Sequence, residues 1–238
     1  ISGRPNLPVT TLVPTSDSGV KGRPTLLSNA ETYAQVAAAV FSGLGPVPVP
    51  GPADDPGTRL LTLTRRDGKQ EVLEVIHGTP WLDILDAEEL ARPILVGGYH
   101  GAWVGPNALT TRTVSQSSMH ELGARLGAGI VIPLPDGLCP LTYTTQLLGY
   151  LAGQSALQCG PCRFGLPELT QAFKAGANGT SWSEALHVAQ LVEKRGACAH
   201  PDGTARLARS AIAMFSSEAA LHHQGHCTYM SMKAVRAR

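Results

Sequence analysis

The spacing of apolar residues changes once along this chain, near Pro135, and that change constrains the fold more than any other feature. Between Thr58 and Leu134, apolar residues alternate with polar ones or form short runs, which is typical of β-strands. After Pro135 they recur every three or four residues, which is typical of helices. The sequence therefore predicts an α+β fold, in which a small sheet is followed by a helical bundle.

The β part is predicted to contain a hairpin and two further strands around one helix. The predicted strands are 60–64, 71–76, 93–98 and 129–134, and the predicted helix is 81–90. Asp67-Gly68 supplies the turn between the first two strands. The order β-β-α-β-β predicts a small β-grasp-like sheet crossed by one helix.

Helices and extended linkers are predicted for the rest of the chain. The bundle helices are expected at about 140–152, 161–175, 182–194 and 203–221, and the short Gly or Pro turns between them favour antiparallel packing. Upstream, Ser28 and Glu31 form a capping-box pattern before a short helix at 33–41. We therefore expect four segments: a lead-in with one helix at 1–57, a β-grasp-like domain at 58–135, a helical domain at 136–221 and a tail at 222–238.

Charge and composition exclude several classes of partner. The net charge is +1 with no basic stripe, so we expect no nucleic acid partner. No apolar run approaches the roughly 20 residues that span a bilayer, so we expect no direct membrane insertion. The chain opens at Ile1 without a secretory leader, and four of the five cysteines follow residue 150. This distribution favours a metal or redox site in a reducing cytoplasm over a disulfide framework.

Three cysteines are predicted to meet at one end of the bundle. Cys159 and Cys162 lie between two predicted helices, and Cys198 lies in the turn before the last helix. A set of thiolates is a soft ligand set that suits an iron–sulfur cluster or zinc, and Arg163 or Arg195 nearby would favour the thiolate form. Three buried or idle cysteines, in a structural or binding module without a cluster, are the alternative without any metal.

The tetrapeptide Cys159-Gly160-Pro161-Cys162 has the composition of a thioredoxin active site, which makes a thiol–disulfide oxidoreductase the second alternative. A thioredoxin motif follows a strand within a βαβ unit. Here the preceding residues look helical and no later hairpin is visible in the sequence. The context therefore favours metal binding.

Three segments together resemble the NADH-oxidising flavoprotein subunit of NADH:quinone oxidoreductase, respiratory complex I, and its relatives in soluble hydrogenases and formate dehydrogenases. GRPTLLSNAET at 22–32 is similar to the family's G-[KR]-P-T-x-x-N-N-V-E-T, and VGGYHG at 96–101 is similar to V-G-G-x-S-G. The most specific match is SALQCGPCR at 155–163, beside S-C-G-x-C-x-P-C-R. The resemblance covers nearly the whole chain.

This resemblance implies an SLBB-type β-grasp domain and an iron–sulfur domain. The family binds a [4Fe–4S] cluster through three cysteines of the last motif and a fourth from a later turn. Cys159 and Cys162 match the second and third ligands, and Cys198 matches the fourth. Ala156 stands at the first and cannot bind metal, so the missing ligand is expected to be His200, Cys227 or a hydroxide, or the cluster to be a [3Fe–4S] form, or the site to be degenerate.

Other histidines, glycines and cysteines have ordinary interpretations. Cys139 is expected to be a small buried hydrophobe. His100 is expected to be a loop residue, and Gly97, Gly98 and Gly101 are interpreted as tight backbone after a buried strand.

The resemblance also implies a flavin and an electron route. In the family the segment that matches Asn29, Glu31 and Thr32 touches FMN. NADH would reduce FMN in the full-length parent, and electrons would pass through the cluster to iron–sulfur subunits of a larger complex, peripheral on the inner face of the cell membrane. Since the glycine-rich nucleotide segments of the family do not occur here, we expect this chain alone to be inactive with NADH.

Overall fold

The computed structural model describes residues 13–41, 50–179 and 181–229. These residues fall into two compact units, the first ending at Pro50 and the second beginning at Gly51. The second unit combines a mixed sheet with a group of packed helices, so the predicted α+β class is confirmed. In the described part of the chain, no helix combines the length and the apolar character that crossing a bilayer requires.

The first unit contains helix α1 (Ala30–Phe41), preceded by a short 3₁₀ turn at Val20–Gly22. Asn29 caps this helix, because its Oδ1 accepts the backbone N–H of Thr32 at 2.7 Å. The predicted capping role of Ser28 is therefore wrong by one residue. Asn and Ser are comparable N-caps, so the local pattern could not choose between the two neighbours.

Five strands form one sheet in the described part of the second unit. They are β1 (Thr58–Thr64), β2 (Gln70–Ile76), β3 (Ile94–Val96), β4 (Ala102–Val104) and β5 (Ile130–Pro133), in the order β2-β1-β5-β3-β4. The predicted hairpin β1–β2 is present, and β1 runs parallel to β5 while the other pairs are antiparallel. Strand β4 was not predicted, because it has only three residues and Gly101 and Gly105 flank it.

The single helix predicted at 81–90 is interrupted. A 3₁₀ turn (Trp81–Asp83) is followed by helix α2 (Ala87–Leu90). Asp86 starts α2 in a capping box with Glu89, which separates the two turns. A further short helix, α3 (Gln116–Glu121), was not predicted.

The helices after Pro135 lie where the sequence predicts them. They are α4 (Pro140–Gly153), α5 (Leu166–Ala177), α6 (Ser183–Val192) and α7 (His200–His223), and a π-helical turn (Pro161–Gly165) leads into α5. Helix α4 packs on α5 and α7, and α6 also packs on both α5 and α7. Helix α7 additionally contacts strand β4.

The three strands β3, β4 and β5 are buried on both faces. Alternate residues on one face, such as Ile94 and Val131, join a core with α2 and α3, whereas Leu95, Trp103 and Ile132 join the core of the helices. Since side chains alternate between the faces of a sheet, two-sided burial requires continuously apolar strands. This explains the unbroken apolar runs in β3 and β4.

Trp103 of strand β4 contacts two helices, α4 and α7. Its indole Nε1–H donates to Thr144 Oγ1 of α4 at 3.0 Å, and its ring stands edge-on to Phe215 of α7 at 5.4 Å between centroids. Its backbone N–H donates to Ser210 Oγ of α7 at 3.2 Å. The tryptophan therefore buries a large ring without leaving its polar atom unpaired.

A pair of histidines forms a second connection between the sheet side and the helices. His200 Nε2 lies 2.9 Å from Leu151 O, and because a carbonyl only accepts, this nitrogen carries the proton. His200 Nδ1 then accepts from His100 Nε2–H at 3.0 Å. Gly203 lies against this pair, since a Cβ at that position would be 2.6 Å from the Cβ of His100.

The close approach at Gly203 can be tested by substitution. In an exposed helix, Gly→Ala stabilises by about 1 kcal/mol. We expect Gly203→Ala instead to lower the free energy of unfolding by roughly 1–3 kcal/mol, because the methyl group overlaps His100. Gly149→Ala, on an exposed position of α4 with no atom closer than 3.9 Å, is the control and should be neutral or stabilising. Urea denaturation measures both, and equal effects of the two substitutions would contradict the proposed contact.

The pKa of His100 predicts a pH dependence of stability. Burial lowers this pKa below its ordinary value, and the neighbouring His200 and Arg206 lower it further. The unfolded chain therefore binds a proton at His100 below about pH 6.5 while the folded chain does not, so stability falls as the pH drops from there, by at most about 1.4 kcal/mol per pH unit. We expect His100→Gln to reduce this slope in urea denaturation between about pH 7.5 and 5.5, a range that brackets the ordinary histidine pKa. An unchanged slope would mean that His100 protonates equally in both states.

Candidate metal centre

Cys159, Cys162 and Cys198 are brought together at the end of the bundle where α7 begins. Cys159 precedes the π-helical turn, Cys162 lies within it, and Cys198 lies in the turn between α6 and α7. Cys162 is buried, Cys159 is half-buried and Cys198 is exposed. The three thiols therefore form a group, here called the CGPC–Cys198 group, that reaches from the interior to the surface.

Backbone N–H groups lower the pKa of Cys159. That of Ala197, next to Cys198 in the turn before α7, is the largest cause. The backbone N–H of Cys162 adds to the effect. The Cys159 thiolate is thus stabilised by backbone dipoles.

Cys162 shows the opposite shift. Burial raises the pKa of its thiol to about 11, and its hydrogen bond with Cys159 and the negative charges of Cys159 and Cys198 act in the same direction. The three sulfurs therefore lie within electrostatic range of one another. A bound cation would reverse this balance, since a coordinating thiol loses its proton.

Arg163 and Arg195, which were predicted to favour the thiolate form, do not account for the lowered pKa of Cys159. Arg163 is exposed and its guanidinium lies over the ring of Phe164, 5.8 Å from the centroid. Arg195 is exposed as well. The backbone N–H donors, which no residue pattern could reveal, lower the pKa of Cys159 instead.

The loop before Cys159 has an unusual backbone conformation at Leu157. Leu157 has a φ of 55°, in the left-handed region that favours glycine, and it stands where the family motif has Gly. The half-buried Ala156 precedes it at the position of the missing cysteine. A non-glycine residue therefore occupies the left-handed region directly after the position of the missing cysteine.

Two of the expected fourth ligands are positioned elsewhere. Both ring nitrogens of His200 are engaged, with His100 and with Leu151. Cys227 follows the opposite end of α7, and because 24 helical residues rise about 36 Å, it lies too far from Cys198 to share one cluster. Of the candidates predicted from the sequence, a solvent-derived hydroxide is compatible with the exposed side of the CGPC–Cys198 group.

Cys227 instead belongs to a second group that the sequence did not predict. The donor atoms of Cys139, His222 and Cys227 all lie within 4.8 Å of one another. Cys139 is buried, as expected, but its sulfur faces a histidine rather than an apolar core alone. A separation of 83 residues between Cys139 and His222 leaves no spacing signal in the sequence.

The predicted flavin-contact residues lie in the first unit. Asn29, Glu31 and Thr32 meet at the first turn of α1, where Asn29 and Thr32 are exposed and Glu31 is half-buried. The hydrogen bond from Thr32 N–H to Asn29 Oδ1 caps the helix, so the presence of Asn29 is explained without a cofactor. Flavin contact therefore stays a prediction.

Known NADH-quinone oxidoreductases resemble this chain along most of its length. Residues 142–222 match the family described as the NADH-ubiquinone oxidoreductase-F iron-sulfur binding region. The F subunit of the NADH-quinone oxidoreductase of Salmonella typhimurium is 28% identical over 216 residues, which are 84% of this chain and 48% of that protein. The corresponding protein of Escherichia coli gives the same figures.

One hydrogenase subunit is similar in sequence, and the structure of another hydrogenase is similar in fold. The NADP-reducing hydrogenase subunit HndC of Solidesulfovibrio fructosivorans is 22% identical over 177 residues, covering 71% of this chain and 36% of that protein. The H2-reduced structure of an NAD+-reducing [NiFe]-hydrogenase shares the fold, with a TM-score of 0.74 and 19% identity over 99% of this chain and 43% of that chain.

The chain spans about half the length of the NADH-quinone oxidoreductase relatives that it matches. The matched residues 142–222 include the CGPC–Cys198 group together with helices α5 and α6. The resemblance predicted from the sequence is therefore confirmed: this chain is similar to the C-terminal part of the F subunit of NADH-quinone oxidoreductase, and residues 142–222 match its iron–sulfur binding region.

Proposed function

We propose that this chain is the cluster-carrying part of an NADH-oxidising flavoprotein and that Cys159, Cys162 and Cys198 bind an iron–sulfur cluster. The observation that carries the proposal is the placement of these three cysteines at the helix ends that precede α5 and α7, all within residues 142–222, which match the iron–sulfur binding region. Hydrogen bonds to ligand sulfurs are one of the means by which a protein sets a cluster's reduction potential. When bound, the cluster would supply one-electron transfer.

The residues around the sulfurs have distinct tasks in this proposal. The π-helical turn orients Cys162 toward the interior, where burial keeps water from its sulfur. Cys198 holds the outer side, next to the exposed backbone of Ala197 and Ala199. The exposed Leu157 and Phe164 flank this side and would offer an apolar docking surface to a neighbouring protein of the complex, close to the metal.

The β part is proposed to be an SLBB-type β-grasp domain at 58–135, followed by the iron–sulfur domain at 136–221. Its mixed sheet, with β1 parallel to β5 and short helices on one face, supports this assignment. In the full-length parent, Asn29, Glu31 and Thr32 would contact FMN, which NADH reduces. Electrons would then pass through this domain to iron–sulfur subunits of a peripheral complex.

A thiol–disulfide oxidoreductase is the second candidate function, because the two cysteines of the CGPC motif have opposite pKa shifts. The lowered pKa of Cys159 and the raised pKa of Cys162 are the asymmetry that a nucleophilic and a buried thiol show in Cys-x-x-Cys enzymes. However, Cys159 follows helix α4 rather than a strand, and the described residues after 140 contain no strand.

A visible spectrum of anaerobically purified protein separates these candidates. An iron–sulfur cluster gives a broad absorbance that dithionite bleaches, whereas a dithiol is colourless. A colourless protein with neither iron nor acid-labile sulfide after anaerobic reconstitution would refute the cluster.

Cys162→Ser should abolish cluster binding, because a hydroxyl replaces the buried thiolate. We expect iron and acid-labile sulfide to fall at least about tenfold after anaerobic reconstitution. Cys227→Ser, whose thiol lies beyond the other end of α7, is the matched control and should retain both. Far-UV circular dichroism confirms that each variant folds, and an equal loss in the two variants would contradict the assignment of the ligands.

Ala156→Cys should supply the missing ligand, since position 156 precedes Cys159 by the same interval that separates Cys159 from Cys162. A fourth thiolate adds negative charge, so we expect a lower reduction potential, a changed electron paramagnetic resonance spectrum and slower loss of the cluster in air. The exposed Gln158→Cys is the control and should change none of these. Identical spectra and potentials for wild type and Ala156→Cys would mean that position 156 does not face the metal.

A further inference from the structure

Cys139, His222 and Cys227 converge from three separate elements at the end of α7 remote from the CGPC–Cys198 group. Cys139 is the N-cap residue of α4, His222 lies in the last turn of α7, and Cys227 follows that helix. Their donor atoms lie within 4.8 Å of one another, with Cys139 buried and the other two half-buried. Three soft or borderline ligands thus surround one point.

The distance between two of these donor atoms fits a single metal ion. Cys139 Sγ lies 3.4 Å from His222 Nε2. Tetrahedral zinc with Zn–S of about 2.3 Å and Zn–N of about 2.0 Å would separate these two atoms by roughly 3.5 Å. The two donors can therefore bind the same ion without rearrangement.

The orientation of His222 is independent evidence for a ligand role. His222 Nδ1 lies 3.0 Å from Ala177 O, and because a carbonyl only accepts, Nδ1 carries the proton. Nε2 then carries the lone pair, with Cys139 Sγ 3.4 Å away and Cys227 Sγ within 4.8 Å. Histidines that bind metal are usually held in this way, with the other ring nitrogen donating to a carbonyl or carboxylate.

Glu218 places a buried negative charge beside the same point. Only 5% of this residue is exposed. Its Oε1 accepts the backbone N–H of Thr228 at 2.8 Å and lies 3.5 Å from His222 Nε2. On coordination both thiols would lose their protons, and the buried carboxylate adds to the negative charge that favours a divalent cation at this point.

A cavity of about 160 Å³ lies beside His222 and is lined further by Thr145, Gln146 and Lys174. Cys139 and Cys227 do not line it, so it borders the histidine side of the group.

We propose that Cys139, His222 and Cys227 form a zinc site, with the fourth tetrahedral position on the side of Glu218. A set of two sulfurs and one imidazole nitrogen in tetrahedral arrangement is typical of zinc. The ion joins the start of α4 to the end of α7 and to the turn after it. It is a structural site, separate from the electron route, and it does not depend on the proposed function.

Zinc binding can be measured on the full chain after removal of loosely held metal. We expect about one zinc per chain in wild type, and at least a tenfold loss in Cys139→Ser and in His222→Asn. Two controls should keep their zinc: His226→Asn, which alters an exposed histidine in the same segment, and Cys159→Ser, which alters the other cysteine group. Full zinc in Cys139→Ser, or zinc lost only in Cys159→Ser, would overturn the proposal.

Cobalt and alkylation give readouts that need no variant. Co²⁺ added to wild type should produce the sulfur-to-cobalt charge transfer and intense d–d bands of a tetrahedral site. Zinc should also slow maleimide modification of the half-buried Cys227, followed by peptide mapping, by at least about tenfold. Octahedral cobalt bands without charge transfer, or alkylation of Cys227 that zinc leaves unchanged, would overturn the proposal even if the variants failed to fold.

Discussion

The close packing of helix α7 against the sheet and the other helices is the constraint on which both cysteine groups depend. The buried face of its first half contains the small residues Gly203, Ala205, Ala208 and Ala211. Small side chains let a helix axis approach its neighbours closely, so this half of α7 is held in place before the kink at Phe215. The turn before α7 then meets the Cys159 segment, and its last turn meets Cys139.

The electrostatics at the start of α7 favours thiolate chemistry without using a charged side chain. Backbone N–H groups of Ala197 and Cys162 lower the pKa of Cys159, while burial raises that of Cys162. Such fixed dipoles require no side-chain ordering and persist wherever the turn keeps its shape. The same arrangement suits a cluster ligand and a reactive dithiol, so the chemistry depends on what the group binds rather than on the geometry alone.

The departures from the family motif are local. Ala156 removes a ligand, and Leu157 replaces a glycine and has a φ of 55°. A bulky residue in the left-handed region carries a strain that the surrounding structure must offset. That the loop holds this conformation indicates that the packing of the π-helical turn and of the turn before α7, rather than the loop sequence, determines its path.

The sequence by itself determined the elements whose signals are local and periodic: the β1–β2 hairpin, helices α4 to α7, and the placing of Cys159, Cys162 and Cys198 at helix ends. Local sequence was less decisive where neighbouring residues suit the same role. Ser28 and Asn29 are both good N-caps, and the residues 81–90 form two short turns instead of the one predicted helix. Only the tertiary structure decided which distant residues meet. In the structure both ring nitrogens of His200 are hydrogen-bonded, to His100 and to Leu151. Cys227 lies beside Cys139 and His222 instead of in the CGPC–Cys198 group. The reason is physical: such contacts depend on where a long helix begins and ends in space, and no spacing along the chain encodes that position.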